Sequence, residues 1–146
     1  MKLNIIWNNQ KGKDCIDIIS HPINHEIVTR WQSQWMQAAT LQAIQPSNQR
    51  TLLVALQEIE AIETMGHMSK IHMLSGDVLW LQKKLKELTY LEASGFYRIN
   101  NSTILNIQQI SAFSAGQHAR LEVFTKNQQT YIVSRHYAKL VKEQLQ

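Results

Sequence analysis

After residue 50 the apolar residues of this chain come in short runs, and a polar or turn-forming segment follows each run. Short runs rich in branched and aromatic side chains are typical of strands, whereas a helix in a globular domain usually extends over more residues. The turn dipeptide Ser75-Gly76 between two such runs predicts a hairpin. We predict strands at TLLVAL, EAIETM, KIHML, DVLWLQ, FYRI, STILNI, ARLEVFT and TYIVS. The pattern therefore indicates a mainly β (α+β) fold of short antiparallel sheets.

Two segments of the same region predict helices. KKLKELTYL carries its leucines on one face, which indicates a short amphipathic helix. SRHYAKLVKEQL predicts a closing helix with Ser134 as its N-cap. The apolar positions that we expect to face inward are Leu85, Leu88 and Leu91 in the first helix and Tyr137, Leu140 and Val141 in the second. The lysines that we expect to stay in solvent are Lys139 and Lys142.

Residues 1–48 have a different pattern, and the polar stretch QPSNQR, 45–50, indicates the boundary because it holds one of the two prolines. KLNIIWN and CIDIIS predict two short strands joined by the turn NQKGKD. In the region after residue 50, SAGQH and KNQQ are the predicted connections between later strands. NHEIVTRWQSQWMQAATLQAI predicts a helix with Asn24 as N-cap. We therefore expect a β-β-α unit at 1–48, which serves dimerisation or partner docking, and a second domain at 49–146.

The apolar face of the N-terminal helix repeats every three or four residues and includes two tryptophans, Trp31 and Trp35. Such a face is most often buried in a core or a dimer interface, and large aromatics are common anchors of protein interfaces. Trp31 and Trp35 are therefore the expected partner or dimer contacts. The other residues of this face are Ile27 and Ala38.

The charge of the chain is unevenly distributed. The formal net charge is +4, and residues 95–146 alone carry six Lys/Arg against two Asp/Glu. A basic excess in a segment that is expected to fold suggests a polyanion partner, most often a nucleic acid. No apolar run approaches the length needed to span a bilayer, and the single Cys15 allows no disulfide framework. We expect a cytoplasmic protein.

The sequence contains no complete catalytic or metal-binding pattern. The scattered glycines form no phosphate-binding loop, and His25-Glu26 lacks the second histidine of a zinc protease because Thr29 occupies its place. His21 and His25 have no nearby carboxylate or second cysteine to complete a site. We expect no enzyme activity, no metal, no cofactor and no small-molecule substrate.

Three polar segments at predicted loops or helix ends instead offer hydrogen-bonding and basic side chains. MGHMSK, 65–70, offers donors at a turn, NNST, 100–103, offers two amides after Arg98, and SRH, 134–136, places an arginine at a helix start. An Asn amide matches the major-groove edge of adenine, and Arg matches that of guanine. Each segment taken alone is equally compatible with a solvated turn or a capped helix.

The order of these segments resembles the LytTR family of bacterial DNA-binding domains. FYRINNSTILNIQQI is similar to the family's F-x-R-I/C-H/N-x-S-[YFT]-[IV]-[IV]-N pattern, and YIVSRHYAKLVKEQL is similar to its closing V-S-R-[RK]-Y-x-K-x-[LIV] run. LKEL and EIEAIE also fall in register. The resemblance covers residues 51–146 and implies short antiparallel sheets that insert loops into successive major grooves of double-stranded DNA.

The resemblance also implies which residues contact DNA. The implied base contacts are His67, Met68, Ser69, Asn101 and Arg135, the first three sharing one loop position. The implied backbone contacts are Lys70, Arg98, Asn100, Ser102, Ser134, His136, Lys139 and Lys142. His136 departs from the family by replacing a second basic residue, and Asn100 replaces the more usual His or Ser.

We therefore expect a sequence-specific DNA-binding transcriptional regulator that acts as a homodimer. Residues 1–48 cannot hold a phosphoacceptor receiver, so phosphorylation of a receiver is not the expected switch. Short family members of this kind often act beside a small membrane protein that restrains them, and this protein is expected to do the same. The alternative is a protein–protein adaptor with weak or no specific DNA binding. An RNA-binding module is disfavoured because no aromatic stacking platform is evident.

Overall fold

The computed structural model describes residues 1–13, 15–37 and 40–146, with the side chains of residues 35–37 left out. These residues form two compact units, Met1–Met36 and Gln37–Gln146. No helix within the described ranges combines the length and the apolar character that crossing a bilayer requires.

The described strands of the second unit form two antiparallel sheets. The larger sheet has the strand order β2-β1-β5-β4-β3-β7-β6, and the smaller has the order β10-β9-β8. The strands are β1 Thr40–Ile44, β2 Thr51–Ala55, β3 Ile59–Met65, β4 Met68–Met73, β5 Val78–Leu81, β6 Phe96–Asn100, β7 Thr103–Asn106, β8 Ile110–Ala115, β9 Leu121–Thr125 and β10 Thr130–Val133. The helices are α1 His25–Gln37 and α2 Arg135–Leu145. The prediction of a mainly β fold of short antiparallel sheets is confirmed.

The larger sheet is buried on both faces at β3 and β7, whose alternate residues point to opposite sides of the sheet. Ile62 on β3 and Ile104 on β7 face a 3₁₀ helix, Leu85–Ser94, that covers one side. Ala61 and Leu105, one position away on the same strands, face the smaller sheet and α2. Each face thus has its own apolar cluster, and β3 and β7 lie between the two.

The predicted helix at KKLKELTYL is present as this 3₁₀ helix, and Leu85, Leu88 and Leu91 are all buried. Their spacing of three residues matches the three residues per turn of a 3₁₀ helix, so the leucines lie above one another on one side. The predicted hairpin at Ser75-Gly76 is also present, because β4 and β5 pair antiparallel around that turn.

The closing helix α2 packs mainly through Val141, which is fully buried, and through Tyr137. Lys139 and Lys142 are exposed as predicted. Leu140, however, is 40% exposed, and the expectation that it faces inward is wrong. Leu140 is turned about 100° from Val141 around the helix axis, and Ala138 and Leu145 complete the inward face instead.

The predicted N-terminal helix ends earlier than expected. α1 ends at Gln37, and residues 40–44 form β1, which pairs with β2 and with β5. Leu41 and Ala43 are buried while Thr40 and Gln42 are exposed, and this alternation has the period of a strand. Tertiary pairing therefore overrides the helix preference of Ala, Leu and Gln in this segment. Ala38 lies outside the described residues.

The two strands predicted at KLNIIWN and CIDIIS are wrong for the described residues, since neither 1–13 nor 15–20 contains a strand. Ile6, Trp7 and Ile19 in these segments are almost fully exposed. An isolated two-stranded hairpin is at best marginally stable in water, so an alternating pattern does not suffice to form one. The N-terminal unit is therefore helical where it is regular, rather than β-β-α.

Two smaller expectations also differ. Asn24 precedes α1 but belongs to the 3₁₀ turn Pro22–Asn24, and its side chain donates to the Ser20 hydroxyl instead of capping the helix. β8 was not predicted, because ISAFSA mixes serine and alanine with few strongly β-forming residues. Its pairing with β9 determines its conformation.

Candidate nucleic-acid interface

The structure brings the three polar segments of the sequence to one edge of the second unit. Thr64, which precedes the β3–β4 turn, donates its backbone N–H to the Ser102 carbonyl at 2.9 Å. Ser134, which precedes α2, donates its backbone N–H to the Ile99 carbonyl at 2.8 Å. The β6–β7 loop, residues 100–103, therefore lies between the β3–β4 hairpin and the start of α2.

The β3–β4 hairpin has a tip of two residues, Gly66 and His67. Gly66 has a φ of +61°, a conformation that suits glycine at the first position of a two-residue hairpin turn. His67 is exposed at the tip, and Met68, the first residue of β4, is half-buried. Of the three residues that share the first predicted base contact, His67 is the one presented to solvent.

Ser69 is fully buried, and its hydroxyl donates to the Lys83 carbonyl at 2.6 Å. A hydroxyl held in this way is not available to a base, so Ser69 has a structural role instead of the predicted base contact. Lys70 is half-buried on β4, where it lies opposite Glu63 of β3 and Trp80 of β5. The sheet places Lys70 and the buried Ser69 on opposite faces.

Asn100 holds the β6–β7 loop in shape. Its Nδ2 donates to the Ile132 carbonyl at 3.1 Å, and its Oδ1 accepts from the backbone N–H and the hydroxyl of Ser102 at 2.9 and 3.0 Å. Arg98 adds to this network, because its Nε donates to the Asn100 carbonyl at 2.9 Å and its Nη2 to the Asn101 carbonyl at 2.6 Å. Much of the hydrogen-bonding capacity of Asn100 and Ser102 is thus used inside the loop.

Asn101 differs from its neighbour. It is exposed, and its carboxamide makes no hydrogen bond to any other described residue. Both the amide donor and the carbonyl acceptor therefore remain free for a partner. The loop that Asn100 and Arg98 hold together presents Asn101 at its tip.

The start of α2 presents Arg135 and His136, which are both exposed. Ser134 occupies the predicted N-cap position, but its side chain makes no capping hydrogen bond. The His136 ring packs edge-on against Tyr137, with 4.7 Å between the ring centroids. Arg135, Lys139 and Lys142 are exposed and follow one face of the helix, because spacings of four and three residues return to the same side.

A buried carboxylate beneath this edge was not predicted from the sequence. Glu60 is 3% exposed at a β-bulge in β3, and its Oε2 accepts a hydrogen bond from the Tyr131 hydroxyl of β10 at 3.2 Å. Burial, and then the negative charge of Glu60, raise the pKa of the Tyr131 hydroxyl. Glu60 thus links the two sheets. Its Oε1 has no hydrogen-bond partner among the described residues.

Two exposed lysines at the interface were also missed. A cavity of about 180 Å³ lies beside the β3–β4 hairpin and is lined by Lys84, Lys86 and Arg98 among others. The KKLK run was the signal that could have pointed to them, but its alternation with buried leucines indicated an ordinary amphipathic helix. Only the tertiary packing shows that these lysines lie near Gly66.

Trp31 of α1 is half-buried within the described residues, and the side chain of Trp35 lies outside them. A role of Trp31 and Trp35 in dimerisation or docking stays a prediction.

Comparison with known proteins agrees with this geometry. Residues 49–146 match the model of the LytTR family, which is described as the LytTr DNA-binding domain. Among solved structures, the chain is similar to the LytTr DNA-binding domain of a protein from Bacillus cereus described as a methyl-accepting/DNA response regulator. The TM-score is 0.64 at 18% sequence identity, and the match covers 73% of this chain and 96% of the other. The comparison with curated proteins finds no match.

Proposed function

The chain belongs to the LytTR family of DNA-binding domains, and from that premise we propose that it is a sequence-specific transcriptional regulator that inserts loops into successive major grooves of DNA. The observation that carries the proposal is the presentation of free Asn101 and Arg135 side chains at one edge, on segments joined by backbone hydrogen bonds. Such joined segments can reach bases without reorganising.

Base reading in this proposal falls to three exposed side chains. Asn101 can donate to and accept from one adenine edge, and Arg135 can donate twice to guanine. His67, at the hairpin tip, is the third reader because it is exposed where Ser69 is buried and Met68 half-buried. The bidentate contacts of Asn101 and Arg135 should each contribute about 1–3 kcal/mol of discrimination, and His67 can add a single hydrogen bond.

Backbone contacts fix the register of the protein on DNA. The basic stripe of Lys139 and Lys142 continues from Arg135 along α2, where it can follow the phosphates of one strand. Arg98 has N–H groups beyond the two that hold the loop, so it can also reach a phosphate. Contacts from Lys70, Asn100, Ser102, Ser134 and His136 complete the proposed set, and those of Asn100 and Ser102 are mainly indirect, through the loop.

The region before the domain has a separate role in this proposal. Within residues 1–48, the N-terminal unit Met1–Met36 carries exposed apolar side chains and Trp31, which suits dimerisation or docking to a partner. We place the protein in the cytoplasm as a homodimer, with a small membrane protein as the partner that restrains it. Control through these residues replaces control by a phosphorylated receiver.

Fluorescence-anisotropy binding tests the proposal. The probes are DNA from upstream of the protein's own gene and a scrambled duplex of equal length, across a salt series. We expect a preference of about 10³-fold or more for one site, and we expect that preference to fall when Arg135 is changed to Ala. Equal, weak and steeply salt-dependent binding to both duplexes would overturn the proposal and favour a protein–protein adaptor.

A further inference from the structure

The cavity beside the β3–β4 hairpin is lined by cations from two separate elements. Lys84 and Lys86 come from the segment that begins the 3₁₀ helix, and Arg98 comes from β6. Gly66 and Met68 of the hairpin line another side. The cavity therefore lies between the hairpin that carries His67 and the strand that leads into the Asn101 loop.

The backbone segment that carries the two lysines is anchored to the core of the second unit. Leu85, between them in sequence, is 2% exposed and is anchored in the apolar cluster under the sheet. The preceding carbonyl, that of Lys83, accepts the hydrogen bond of the buried Ser69 hydroxyl at 2.6 Å. The backbone on either side of Lys84 is therefore anchored, at Leu85 to the apolar cluster and at Lys83 to β4.

The charge at the cavity is entirely positive. No carboxylate occurs among its described lining residues. Arg98 donates from Nε and Nη2 to the loop carbonyls, and its remaining N–H groups are free to donate into the cavity. Lys84 and Lys86 are exposed, and neither forms an ion pair with another described residue. Three uncompensated cations around a small cavity favour an anion.

We propose that this cavity binds one backbone phosphate of the DNA, with Lys84 and Lys86 as phosphate contacts that clamp the strand beside the β3–β4 hairpin. The inference rests on the proposed DNA-binding function and adds a contact on the side of the interface opposite α2. A phosphodiester fits better than a nucleotide because the described residues that line the cavity include no aromatic side chain to stack on a base. With Lys139 and Lys142, the site gives the loops a phosphate anchor on each flank.

The test compares two variants in the anisotropy assay across a salt series. In the double variant Lys84→Ala, Lys86→Ala we expect the slope of log K against log salt to fall by about 0.9 for each lost contact. Near 0.1 M salt this corresponds to roughly five- to tenfold weaker binding per lysine, with the ratio of specific to scrambled DNA unchanged. Unchanged urea midpoints would show that the exposed substitutions leave the fold intact.

Lys83→Ala is the matched control. Lys83 is adjacent and carries the same charge, but its Nζ lies 5.8 Å from the Tyr90 ring centroid and it does not line the cavity. We expect its salt slope to equal that of the wild type. If Lys83→Ala and the double variant have the same slope, the inference is wrong even where the wild type keeps its sequence preference. Loss of preference in the wild type would instead contradict the proposed function.

A modified duplex locates the phosphate and separates DNA from free phosphate. Replacing single phosphates by neutral methylphosphonates should weaken wild-type binding at one position and have no further effect there in the double variant. Inorganic phosphate should at most weakly raise the melting temperature of the wild type. Stabilisation by inorganic phosphate that depends on Lys84 and Lys86, without a methylphosphonate effect, would overturn the assignment to DNA.

Discussion

The β6–β7 loop and the β3–β4 hairpin meet at the same interface, but different forces hold them. Side chains hold the β6–β7 loop, because Asn100 and Arg98 donate to the surrounding carbonyls and Asn100 accepts from Ser102. Backbone geometry forms the tip of the hairpin, where a positive φ at Gly66 closes a two-residue turn. We therefore expect the β6–β7 loop to respond to loss of side-chain hydrogen bonds, and the hairpin to respond to loss of the glycine at its tip.

Within the β6–β7 loop the same difference separates two identical residues. Asn100 turns its amide inward and makes three hydrogen bonds, and Asn101 turns its amide outward and makes none within the described chain. The first residue holds the loop in shape, so in the proposed function the second would meet DNA from a loop that is already ordered. Preorganisation of this kind raises affinity by lowering the entropy lost on binding.

The largest effect is expected from Asn100→Ala. The change removes three hydrogen bonds and leaves the Ile132 carbonyl without its donor, so we expect a loss of about 2–3 kcal/mol in the free energy of unfolding. Urea denaturation measures this loss. Binding to specific DNA should weaken more than binding to scrambled DNA, because the loop that presents Asn101 loses its shape. A stability equal to that of the wild type would show that the loop does not depend on Asn100.

Asn101→Ala is the partner experiment. It should keep the stability of the fold and lose base discrimination at one position. Its stability should lie within about 0.5 kcal/mol of the wild type, because the side chain is exposed and unpaired. Discrimination at one base position should fall by about 1–3 kcal/mol. Anisotropy with duplexes that vary each base pair in turn measures the discrimination. An equal loss for every duplex would mean that Asn101 contacts a phosphate and not a base.

The prediction from sequence succeeded where local pattern and tertiary packing agree. The β4–β5 hairpin at Ser75-Gly76 and the leucine face of the 3₁₀ helix are both present, because turn chemistry and apolar spacing specify them locally. It failed at β1, where pairing with β2 and β5 decided between helix and strand. The strand prediction also failed at 1–13 and 15–20, where the apolar pattern has no partner strand among the described residues.

The candidate site could be located from the sequence but its roles could not be divided. The order of the motifs indicated three polar segments, and the structure brings those segments together. Nothing in NNST distinguishes the inward Asn100 from the outward Asn101, since direction depends on the Ile132 carbonyl, 32 positions along the chain. The burial of Ser69 and the cavity at Lys84 also depend on packing between distant segments.

Gly66→Ala tests how the tip of the β3–β4 hairpin contributes to stability and to DNA binding. Open space surrounds an added Cβ, so the cost comes from the positive φ alone and should be about 1 kcal/mol of stability. Urea denaturation gives this value, and anisotropy should show weaker binding because the His67 tip is displaced.

Gly76→Ala is the control, since Gly76 has a φ of +93°, equally open surroundings and a place in the β4–β5 turn instead. It should lose comparable stability and keep DNA affinity. If both variants keep full affinity, the hairpin tip does not take part in recognition.

The smallest effect is expected from the titration of Tyr131, which Tyr131→Phe removes. The lost hydrogen bond to the buried Glu60 lowers stability at every pH, whereas the lost titration changes only how stability varies at alkaline pH. Burial and the Glu60 charge raise the pKa of Tyr131 above its usual value of 10.0. Above pH 10 the unfolded chain therefore loses a proton that the folded chain keeps, and the free energy of unfolding falls as pH rises. Tyr131→Phe lacks this titration, so its urea midpoint should fall less between pH 8 and pH 11 than that of the wild type. Identical pH profiles in the two proteins would show that folding does not raise the pKa of Tyr131.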